Sequence, residues 1–527
     1  MQPLSQKERM AIALRCSVPM KSQNLQVLIA GAGPTGLALA CDLARRGVQY
    51  RIIDKAHAYF NGSRGKGLQP RTLEVFDDLG IVDEILSLGQ FHLPFRGYEG
   101  EKVLGERDPH EGRNPTPAIP YASPLIIPQF RVEERLRALL ERSGGRVELA
   151  TELVSLEQDE DGVTATLQGE NGQETVRCQY LFAADGGRSF VRKFLDISFE
   201  GETWKEERMY VADVGLTGLD RDAWHAWANS KAGFLALCPL PSTDLFQFQA
   251  MVAPGEEREP SLELFREIVK ERTESTKIEL TETTWMSLYR PNVRMISQFR
   301  VGRVFLGGDA AHVHSPAGGQ GMNTGIQDGY NFGWKLKCVL DGVPETLLDS
   351  YEEERLPVAA SVLGLSTKLH RQMSQEGDER IRRDGMTLQL GINYKEMSLS
   401  RHAGDVSLKV SSGDRAPDAP GQDASGAAMR LFDVFRGPHF TLLRLFLGDD
   451  AGTIELGMAG VKQVDVVASA RESASEIFVD SGGHILEAYG GGNGELLLVR
   501  PDGYVGWIGP EREVGGLRDY LRALIGR

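Results

Sequence analysis

The chain has 527 residues, of which 41% are hydrophobic and 25% are charged, and its formal net charge is −15. This length is too great for one compact core and predicts about two to four globular domains. The acidic balance argues against nucleic acid or an anionic membrane as a main partner, and no run approaches the roughly 18 apolar residues that an integral membrane span needs.

The five cysteines are widely scattered and include no Cys-x-x-Cys pair. This pattern predicts neither a zinc site nor a redox-active pair, and it favours a reducing cytoplasm. Histidines also lack the spacing of known metal motifs. We therefore predict no metal and a cytoplasmic location.

The first predicted elements form a strand–loop–helix–strand unit. Residues 1–23 are mixed and polar, so we expect a flexible leader there, with Met20 as an alternative start. A buried strand is predicted at Leu25–Ala30, a helix from Pro34 to about Arg46, and a second strand at Tyr50–Ile53. Such a unit is typical of nucleotide-binding folds.

The loop of this unit, GAGPTG, matches the Gly-x-Gly-x-x-Gly pattern. Gly31 permits the tight turn, Gly33 lets a pyrophosphate approach the backbone, and Gly36 lets helix and strand pack closely. An acid, Asp54, follows about 20 positions on, where it can accept hydrogen bonds from a ribose. The unit therefore predicts a nucleotide site, and the acid favours FAD or NAD over NADP. The alternative is that the loop is a purely structural turn. The residues assigned to this half of the cofactor are Gly31, Gly33, Pro34, Thr35, Gly36, Asp54 and Lys55.

Two more loops also follow buried strands. The segment GRVFLGGDAAH at 302–312 ends a strand close to Asp309, and the glycine-dense segment 315–329 opens a helix near Gly321. The segment ADGGRS at 184–189 follows a strand as well. Two distant loops suit a long dinucleotide, so FAD is favoured over NAD.

Three of these motifs are the Gly-x-Gly-x-x-Gly loop, the loop at Asp185-Gly186 and the loop at Gly308-Asp309. In this chain order they resemble the group A flavin-dependent aromatic hydroxylases, the p-hydroxybenzoate hydroxylase-like monooxygenases, over roughly residues 25–375. The resemblance implies that Arg64 meets the FAD pyrophosphate, Gln129 contacts the cofactor and Asp309 binds the ribityl chain. It also implies further cofactor contacts at Asp185, Pro316, Gly319, Gly321, Met322 and Asn323.

The family resemblance also indicates which nicotinamide nucleotide would reduce the flavin. It associates the Asp185 loop with NADPH as well as FAD, so Arg188 and Arg192 are candidates for binding NADPH, which is favoured over NADH. His312 and His314 are expected to be packed beside the flavin loop rather than to act as acid or base. No catalytic residue is assigned.

The predicted fold class is α/β and α+β. It comprises a Rossmann-type FAD-binding domain, an inserted β-sheet substrate domain and a C-terminal thioredoxin-like domain. The predicted boundaries are 24–95, 125–200 and 291–400 for the FAD-binding domain, 96–124 and 201–290 for the substrate sheet, 401–425 for a linker, and 426–527 for the C-terminal domain.

The predicted substrate sheet suggests a neutral ligand. Segment 232–252 contains no Lys, Arg or His, whereas the benzoate hydroxylases use arginine in this region. We therefore expect a phenol, a quinone precursor or a polycyclic compound as the substrate. The candidate contacts are Leu237, Phe246, Phe248, Tyr289 and Pro316. In the alternative, the phenylalanines belong to the core and the pocket lies around Trp285, Tyr289 and Arg290.

The C-terminal segments GDRAP at 413–417 and LLLVRPDGYVGWIG at 496–509 resemble the thioredoxin-like tail of phenol and polyketide hydroxylases. No cysteine follows Cys338, so thiol chemistry is excluded there. The expected role is structural or in dimerisation, and a truncation at about 405 that stays dimeric and active would contradict it. The chain is expected to be a homodimer or a monomer.

Together these features predict an FAD-dependent monooxygenase that uses NAD(P)H and O₂ to hydroxylate an aromatic substrate. The resemblance implies a flavin C4a-hydroperoxide as the oxygen donor, with the cofactor supplying the difficult chemistry. Two alternatives stay open. One is a related enzyme that acts on a drug or antibiotic or inserts oxygen beside a ketone, and the other is an FAD-binding sensor without turnover.

Overall fold

The structure is a computed structural model. It describes residues 25–204, 207–253, 255–315, 318–376, 385–446, 454, 456–469, 476–491 and 494–526, with the backbone alone described at 369–376. The predicted leader and Pro316 therefore lie outside the described residues. No helix in the described ranges combines the length and the apolar character that crossing a membrane requires.

The first domain is built on a mixed eight-stranded sheet. Its strands are β1 Leu25–Ala30, β2 Tyr50–Ile53, β7 Val147–Glu148, β8 Glu152–Gln158, β9 Val163–Gly169, β10 Gly172–Ala183, β18 Arg300–Val301 and β19 Val304–Leu306. The order is β18-β19-β10-β1-β2-β7, and the β8–β9 hairpin pairs with β10. Strands β19, β10, β1, β2 and β7 run parallel, as expected for strands buried on both faces.

Helices of the first domain cover this sheet. They are α1 Pro34–Arg45, α2 Pro70–Asp78, α3 Val82–Leu86, α4 Gln129–Arg142, α5 Phe190–Phe194, α7 Gly321–Leu340 and α8 Asp349–Glu376. Gly325, Gly329 and Gly333 recur every fourth residue on one face of α7. A Cβ at Gly329 would lie 2.8 Å from the Thr35 carbonyl oxygen, so this glycine face lets the two helix backbones approach.

The second domain is a seven-stranded sheet of order β16-β12-β15-β14-β13-β4-β5. Its strands are β4 Phe95–Glu99, β5 Lys102–Arg107, β12 Met209–Thr217, β13 Trp224–Trp227, β14 Leu235–Pro239, β15 Leu245–Met251 and β16 Glu279–Tyr289. Helix α6, Leu262–Thr273, packs on one face. Both sequence segments assigned to the substrate domain thus contribute strands to one sheet. The small sheets β3–β6 and β11-β17-β20 connect the domains, with strands at Gly67–Leu68, Leu125–Ile126, Glu200–Thr203, Asn292–Met295 and His312–Val313.

The third domain is an eight-stranded sheet of order β21-β28-β27-β24-β25-β26-β22-β23. Its strands are β21 Arg401–His402, β22 Pro420–Gln422, β23 Ala428–Arg430, β24 Phe440–Leu445, β25 Val461–Val467, β26 Glu476–Val479, β27 Glu495–Val499 and β28 Val505–Pro510. Its helices are α9 Leu431–Phe435, α10 His484–Tyr489 and α11 Val514–Ile525. The thioredoxin-like assignment of this domain stays a prediction.

The predicted linker at 401–425 does not have the structure of a linker. Strands β21 and β22 lie within it and join the third sheet. Val410, Ala416 and Ala419 are buried in the core of that domain. A segment rich in Ser, Gly, Asp and Pro suggested a free connection, but a few apolar side chains are enough to anchor it.

The first unit of the chain has the secondary structure predicted for it. Strands β1 and β2 have the predicted bounds, and helix α1 ends at Arg45, one residue before the expected end. The mixed α/β architecture is also confirmed. The third sheet begins earlier in the chain than the sequence pattern indicated.

Candidate flavin site

The predicted cofactor loops all follow the carboxyl ends of neighbouring parallel strands. Gly31 follows β1, Asp54 follows β2, Asp185 lies just after β10, and Asp309 lies just after β19. Because these strands are adjacent and parallel, their carboxyl ends meet at one edge of the sheet. Ligands of open α/β sheets bind in the crevice outside this edge.

The glycine loop leaves space where a ligand backbone contact is needed. Gly31 has φ +105°, and a Cβ there would lie 2.2 Å from the Ala184 carbonyl oxygen. A Cβ at Gly36 would lie 2.0 Å from the Gly31 carbonyl oxygen, whereas nothing lies within 4 Å of a Cβ at Gly33. Helix α1 begins at Pro34 and no side chain caps its N-terminus. This open, uncapped helix end fits a pyrophosphate.

Asp54 lies at the predicted ribose position. Its two carboxylate oxygens accept hydrogen bonds from the backbone N–H groups of Ala32 and Ala56, both at 2.9 Å. Lys55 beside it is exposed. Because a carboxylate has about four acceptor sites, Asp54 retains capacity for ribose hydroxyls.

The pyrophosphate side of the crevice carries the predicted arginine. Arg64 is exposed, with its guanidinium 4.3 Å from the centre of the Phe60 ring. Gln129 accepts a hydrogen bond from the Gly65 N–H at 3.2 Å and donates one to Glu133 at 2.8 Å. Gln129 therefore holds the loop that carries Arg64, and Arg64 itself has a free face toward solvent.

Asp309 lies just after β19, beside the other predicted cofactor loops at the sheet edge. Burial raises the pKa of its carboxyl group, and the charges of His312 and Arg64 partly offset this. The side chain is nevertheless exposed. A carboxylate that is surrounded by protein yet still open to solvent is typical of a cleft. Burial, and then the charge of Asp309, also raise the pKa of Tyr289.

The loop after β10 and the helix that follows it contain Asp185, Arg188 and Arg192, whose surroundings differ. One oxygen of Asp185 accepts hydrogen bonds from the Phe190 and Val191 N–H groups at 2.7 and 3.2 Å. Its other oxygen, Oδ1, is buried and has no partner among the described residues, so it remains an acceptor for a ligand. Arg192 is buried and donates to the carbonyl oxygens of Ala310 and Gly187 at 2.9 and 2.8 Å. It therefore joins two cofactor loops and is not exposed to NADPH, whereas Arg188 is exposed.

The glycine-dense loop opens helix α7 as predicted. Gly319 has φ +63°, the helix begins at Gly321, and no side chain caps its N-terminus. The Asn323 side chain accepts from the Gln69 N–H at 2.8 Å and donates to the Gly67 and Gly319 carbonyl oxygens at 3.0 and 2.8 Å. Asn323 therefore fastens segment 62–69 to this helix end, and Met322 lies beside Gly65. Backbone N–H groups remain for a flavin.

Three of the predicted substrate contacts point away from the crevice. Leu237, Phe246 and Phe248 belong to the core under α6, where the Phe248 and Phe265 rings stack at 4.5 Å. The period-two alternation was recognised correctly, but the apolar face packs on a helix. The alternative is supported instead, because Tyr289 and Trp285 share the opposite face of the sheet with Asp213.

That opposite face carries a polar cluster that the sequence analysis missed. Buried Asp213 accepts a hydrogen bond from the Ser63 N–H at 2.7 Å and a second from the Ser63 hydroxyl. Gln247 lies opposite Asp213, donates to Ser63 and accepts from Lys66 at 2.5 Å. An acid inside the apolar strand YVADVGL was the available signal. Its partners come from a loop about 150 residues earlier, which no local pattern indicates.

His312 and His314 belong to a buried hydrogen-bond chain. His312 contacts Asp328 at 2.7 Å and His314 at 2.9 Å, and Arg355 donates to Asp328 at 2.8 Å. Burial, together with repulsion from His312, holds the pKa of His314 well below its usual range. The two rings thus join the loop after β19 to α7 through Asp328. Across the described ranges, no cluster of three or more His, Cys, Asp or Glu side chains could hold a metal ion.

Comparison with known proteins agrees with this geometry. The FAD binding domain family model matches residues 24–366, and the aromatic-ring hydroxylase C-terminal model matches residues 410–527. A flavin-dependent monooxygenase of Mycobacteroides abscessus is 43% identical over 92% of this chain and 96% of its own. The 6-methylpretetramide 4-monooxygenase of Streptomyces rimosus is 33% identical over 96% and 95%.

Among solved structures, a ternary complex of aklavinone-11 hydroxylase with FAD and aklavinone superposes with a TM-score of 0.80. It is 27% identical and covers 96% of this chain and 100% of its own. The open space at Gly33, the uncapped helix ends and the unpartnered Asp185 oxygen leave room and hydrogen-bonding groups for a dinucleotide. The chain belongs to the family of FAD-binding, flavin-dependent monooxygenases with an aromatic-ring hydroxylase C-terminal domain.

Proposed function

We propose that the protein is an NAD(P)H-dependent FAD monooxygenase that hydroxylates a phenolic or polycyclic aromatic substrate. One observation carries the proposal: segment 62–69, which Asn323 fastens to the N-terminal end of α7, also contacts the face of the substrate sheet that Trp285 and Tyr289 share. The relatives that act on aromatic polyketides support the same class of substrate.

Each group at the site has a proposed task. The glycine loop and Arg64 hold the FAD pyrophosphate, Asp54 the adenosine ribose, and Asp309 the ribityl chain. When bound, FAD would supply the redox chemistry that uses NAD(P)H and O₂ to convert a ring C–H to C–OH. The net reaction consumes substrate, O₂, NAD(P)H and a proton, and yields hydroxylated product, NAD(P)⁺ and water.

The substrate sheet has the remaining tasks of orienting the ring and excluding water. Tyr289 lies on the face of the substrate sheet that also carries Trp285 and Asp213. An aromatic wall there both contacts a flat substrate and keeps water from the reacting atoms.

We also propose a cytoplasmic location. The cysteines at Cys41, Cys178, Cys238 and Cys338 are free thiols, which supports this proposal.

The experiment is a visible spectrum of the purified protein followed by NADPH oxidation with a panel of phenols and polycyclic aromatics. We expect a yellow protein whose NADPH oxidation rises with one aromatic, with one oxygen atom added to the product. Ring expansion instead would support the alternative of oxygen insertion beside a ketone. A yellow protein that no aromatic stimulates would support the sensor, and a colourless protein that FAD cannot reconstitute would contradict the proposal.

We further propose that exposed Arg188 contacts the 2′-phosphate of NADPH, the group that NADH lacks. Replacing it with glutamine should raise KM for NADPH by about tenfold and leave kcat and the KM for NADH nearly unchanged, since a charge-assisted hydrogen bond is lost. Exposed Lys193, five residues on, supplies the matched control as Lys193→Gln. Steady-state kinetics with both nucleotides checks this, and equal effects of the two variants would contradict it.

A further inference from the structure

Lys66 lies on the boundary between the flavin site and the substrate sheet. Its neighbours Gly65 and Gly67 face the N-terminal end of α7, where Gly65 lies beside Met322 and the Gly67 carbonyl accepts from Asn323. The Lys66 side chain extends the other way. It reaches the face of the substrate sheet that Trp285 and Tyr289 share.

The ammonium group of Lys66 has few partners in this position. It donates to the Gln247 side-chain oxygen at 2.5 Å and lies 3.9 Å from the centre of the Trp224 ring. Within the described ranges no carboxylate lies within salt-bridge distance of it. Buried Lys335 provides the contrast, since it contacts Asn331, Ser350 and Glu354 at 2.9, 3.1 and 2.7 Å. Lys66 uses one of three N–H donors on a neutral oxygen.

The nearby groups do not supply the missing anion. Asp213 is close enough to influence Lys66, but Ser63 holds its carboxylate through two hydrogen bonds, and burial raises its pKa. Burial also raises the pKa of the Cys238 thiol to about 11, so it is neutral. The Trp224 Nε1–H is buried and has no acceptor among the described residues. This corner of the sheet therefore has an excess of donors.

The protonation of Lys66 follows from the same surroundings. Burial lowers the pKa of Lys66 to about 8, although Cys238 and Asp213 oppose this. At neutral pH the amine is still mainly protonated. Lys66 is half-buried, and an ammonium group in such surroundings without a carboxylate partner would stabilise an anionic oxygen through a charge-assisted hydrogen bond.

We propose that Lys66 holds an ionised oxygen of the aromatic substrate, so that the enzyme selects hydroxy-aromatic compounds bound as phenolates. The proposal rests on the aromatic hydroxylation proposed above and names the chemical class of its substrate. It also revises the expectation of a neutral pocket. The substrate sheet lacks a cation in segment 232–252, but the FAD-binding domain supplies one from another part of the chain.

The test compares binding to the FAD-loaded protein without turnover. The probes are 2-naphthol and 2-hydroxyanthraquinone, their methyl ethers, and anthraquinone-2-carboxylate. Binding is followed by quenching of tryptophan fluorescence and by the absorption change that accompanies ionisation of the hydroxyl. The variants are Lys66→Met, Lys66→Arg and, as the matched control on the same domain assembly, exposed Lys277→Met.

In the wild type we expect at least one phenol to bind about tenfold or more tightly than its ether, and to bind as the phenolate. Lys66→Met should abolish this preference, while Lys66→Arg and Lys277→Met keep it. A merely structural lysine would alter both ligands of a pair equally, so an unchanged preference in Lys66→Met would overturn the inference alone. Preferential, Lys66-dependent binding of the carboxylate over both phenols would overturn the phenolate assignment. Failure of every aromatic to bind the yellow protein would overturn the inference together with the proposed function.

Discussion

A Gly33→Ala variant should fold normally and bind FAD at least about tenfold more weakly than the wild type. Normal folding is expected because Gly33 has φ −75°, a backbone conformation that any residue adopts. A Cβ there meets no protein atom within 4 Å, so folding is not disturbed. The methyl group instead occupies the space through which the pyrophosphate approaches the backbone. FAD titration of the apoprotein by fluorescence, with a thermal melt of the same sample, measures both properties.

Gly36→Ala should have the opposite signature. Its Cβ would lie 2.0 Å from the Gly31 carbonyl oxygen, which is a backbone atom, so the clash could be relieved only by moving the main chain. We expect a loss of stability of roughly 3 kcal/mol, or failure to accumulate as soluble protein. The two glycines of one motif thus separate a binding role from a packing role.

Gly364→Ala is the matched control for both variants. It lies in helix α8, and a Cβ there meets nothing within 4 Å. It should leave FAD affinity unchanged and slightly raise the melting temperature, since alanine favours a helix. Wild-type FAD affinity in Gly33→Ala would show that the pyrophosphate binds elsewhere.

The cofactor half of the site could be predicted from sequence because its geometry is local. Strand β1, the glycine loop, helix α1 and Asp54 lie within about 30 residues, and each spacing has one structural solution. The loops at Asp185 and Asp309 also follow their own strands directly. Adjacent parallel strands then bring all of them to one edge of the sheet.

The substrate half could not be predicted in the same way. Alternation assigns Phe246 and Gln247 to opposite faces but does not say which face meets the flavin. That choice depends on α6, which covers Phe246 and Phe248. Lys66 and Gln247 are separated by 181 positions, so their contact has no local signal. Arg192 was assigned by its charge, and only its burial shows that it joins two loops instead.

The second large predicted effect is a loss of stability when the junction between the FAD-binding and C-terminal domains is altered. Glu354 of α8 contacts Lys335 of α7 at 2.7 Å and Arg500, just after β27, at 2.6 and 2.9 Å. All three side chains are fully buried. Burial alone would raise the pKa of Glu354, but the charges of Arg500 and Lys335 outweigh it and hold that pKa well below its usual range. The glutamate is thus ionised and, together with Asp502, balances the charges of the two buried cations.

Glu354→Gln should therefore cost about 3–5 kcal/mol of stability, because Lys335 loses its anion and Arg500 retains only Asp502. The amide also places an N–H₂ group among donors. Asp519→Asn is the matched control, since Asp519 forms an exposed ion pair with Arg522 and should change stability by less than about 1 kcal/mol. Denaturant unfolding of the FAD-loaded proteins compares them.

The same junction explains why the C-terminal domain is expected to be indispensable. Trp334 and Leu347 of the FAD-binding domain share one apolar core with Phe440, Leu496 and Trp507 of the C-terminal domain. Truncation at about residue 405 would expose this core together with Lys335 and Glu354, and Trp334 lies on α7, the helix whose N-terminus is proposed to hold the flavin. We expect the truncated chain to aggregate or to lose FAD. A truncated protein that stays yellow and active, or a Glu354→Gln protein as stable as Asp519→Asn, would show that the two domains are energetically independent despite their shared core.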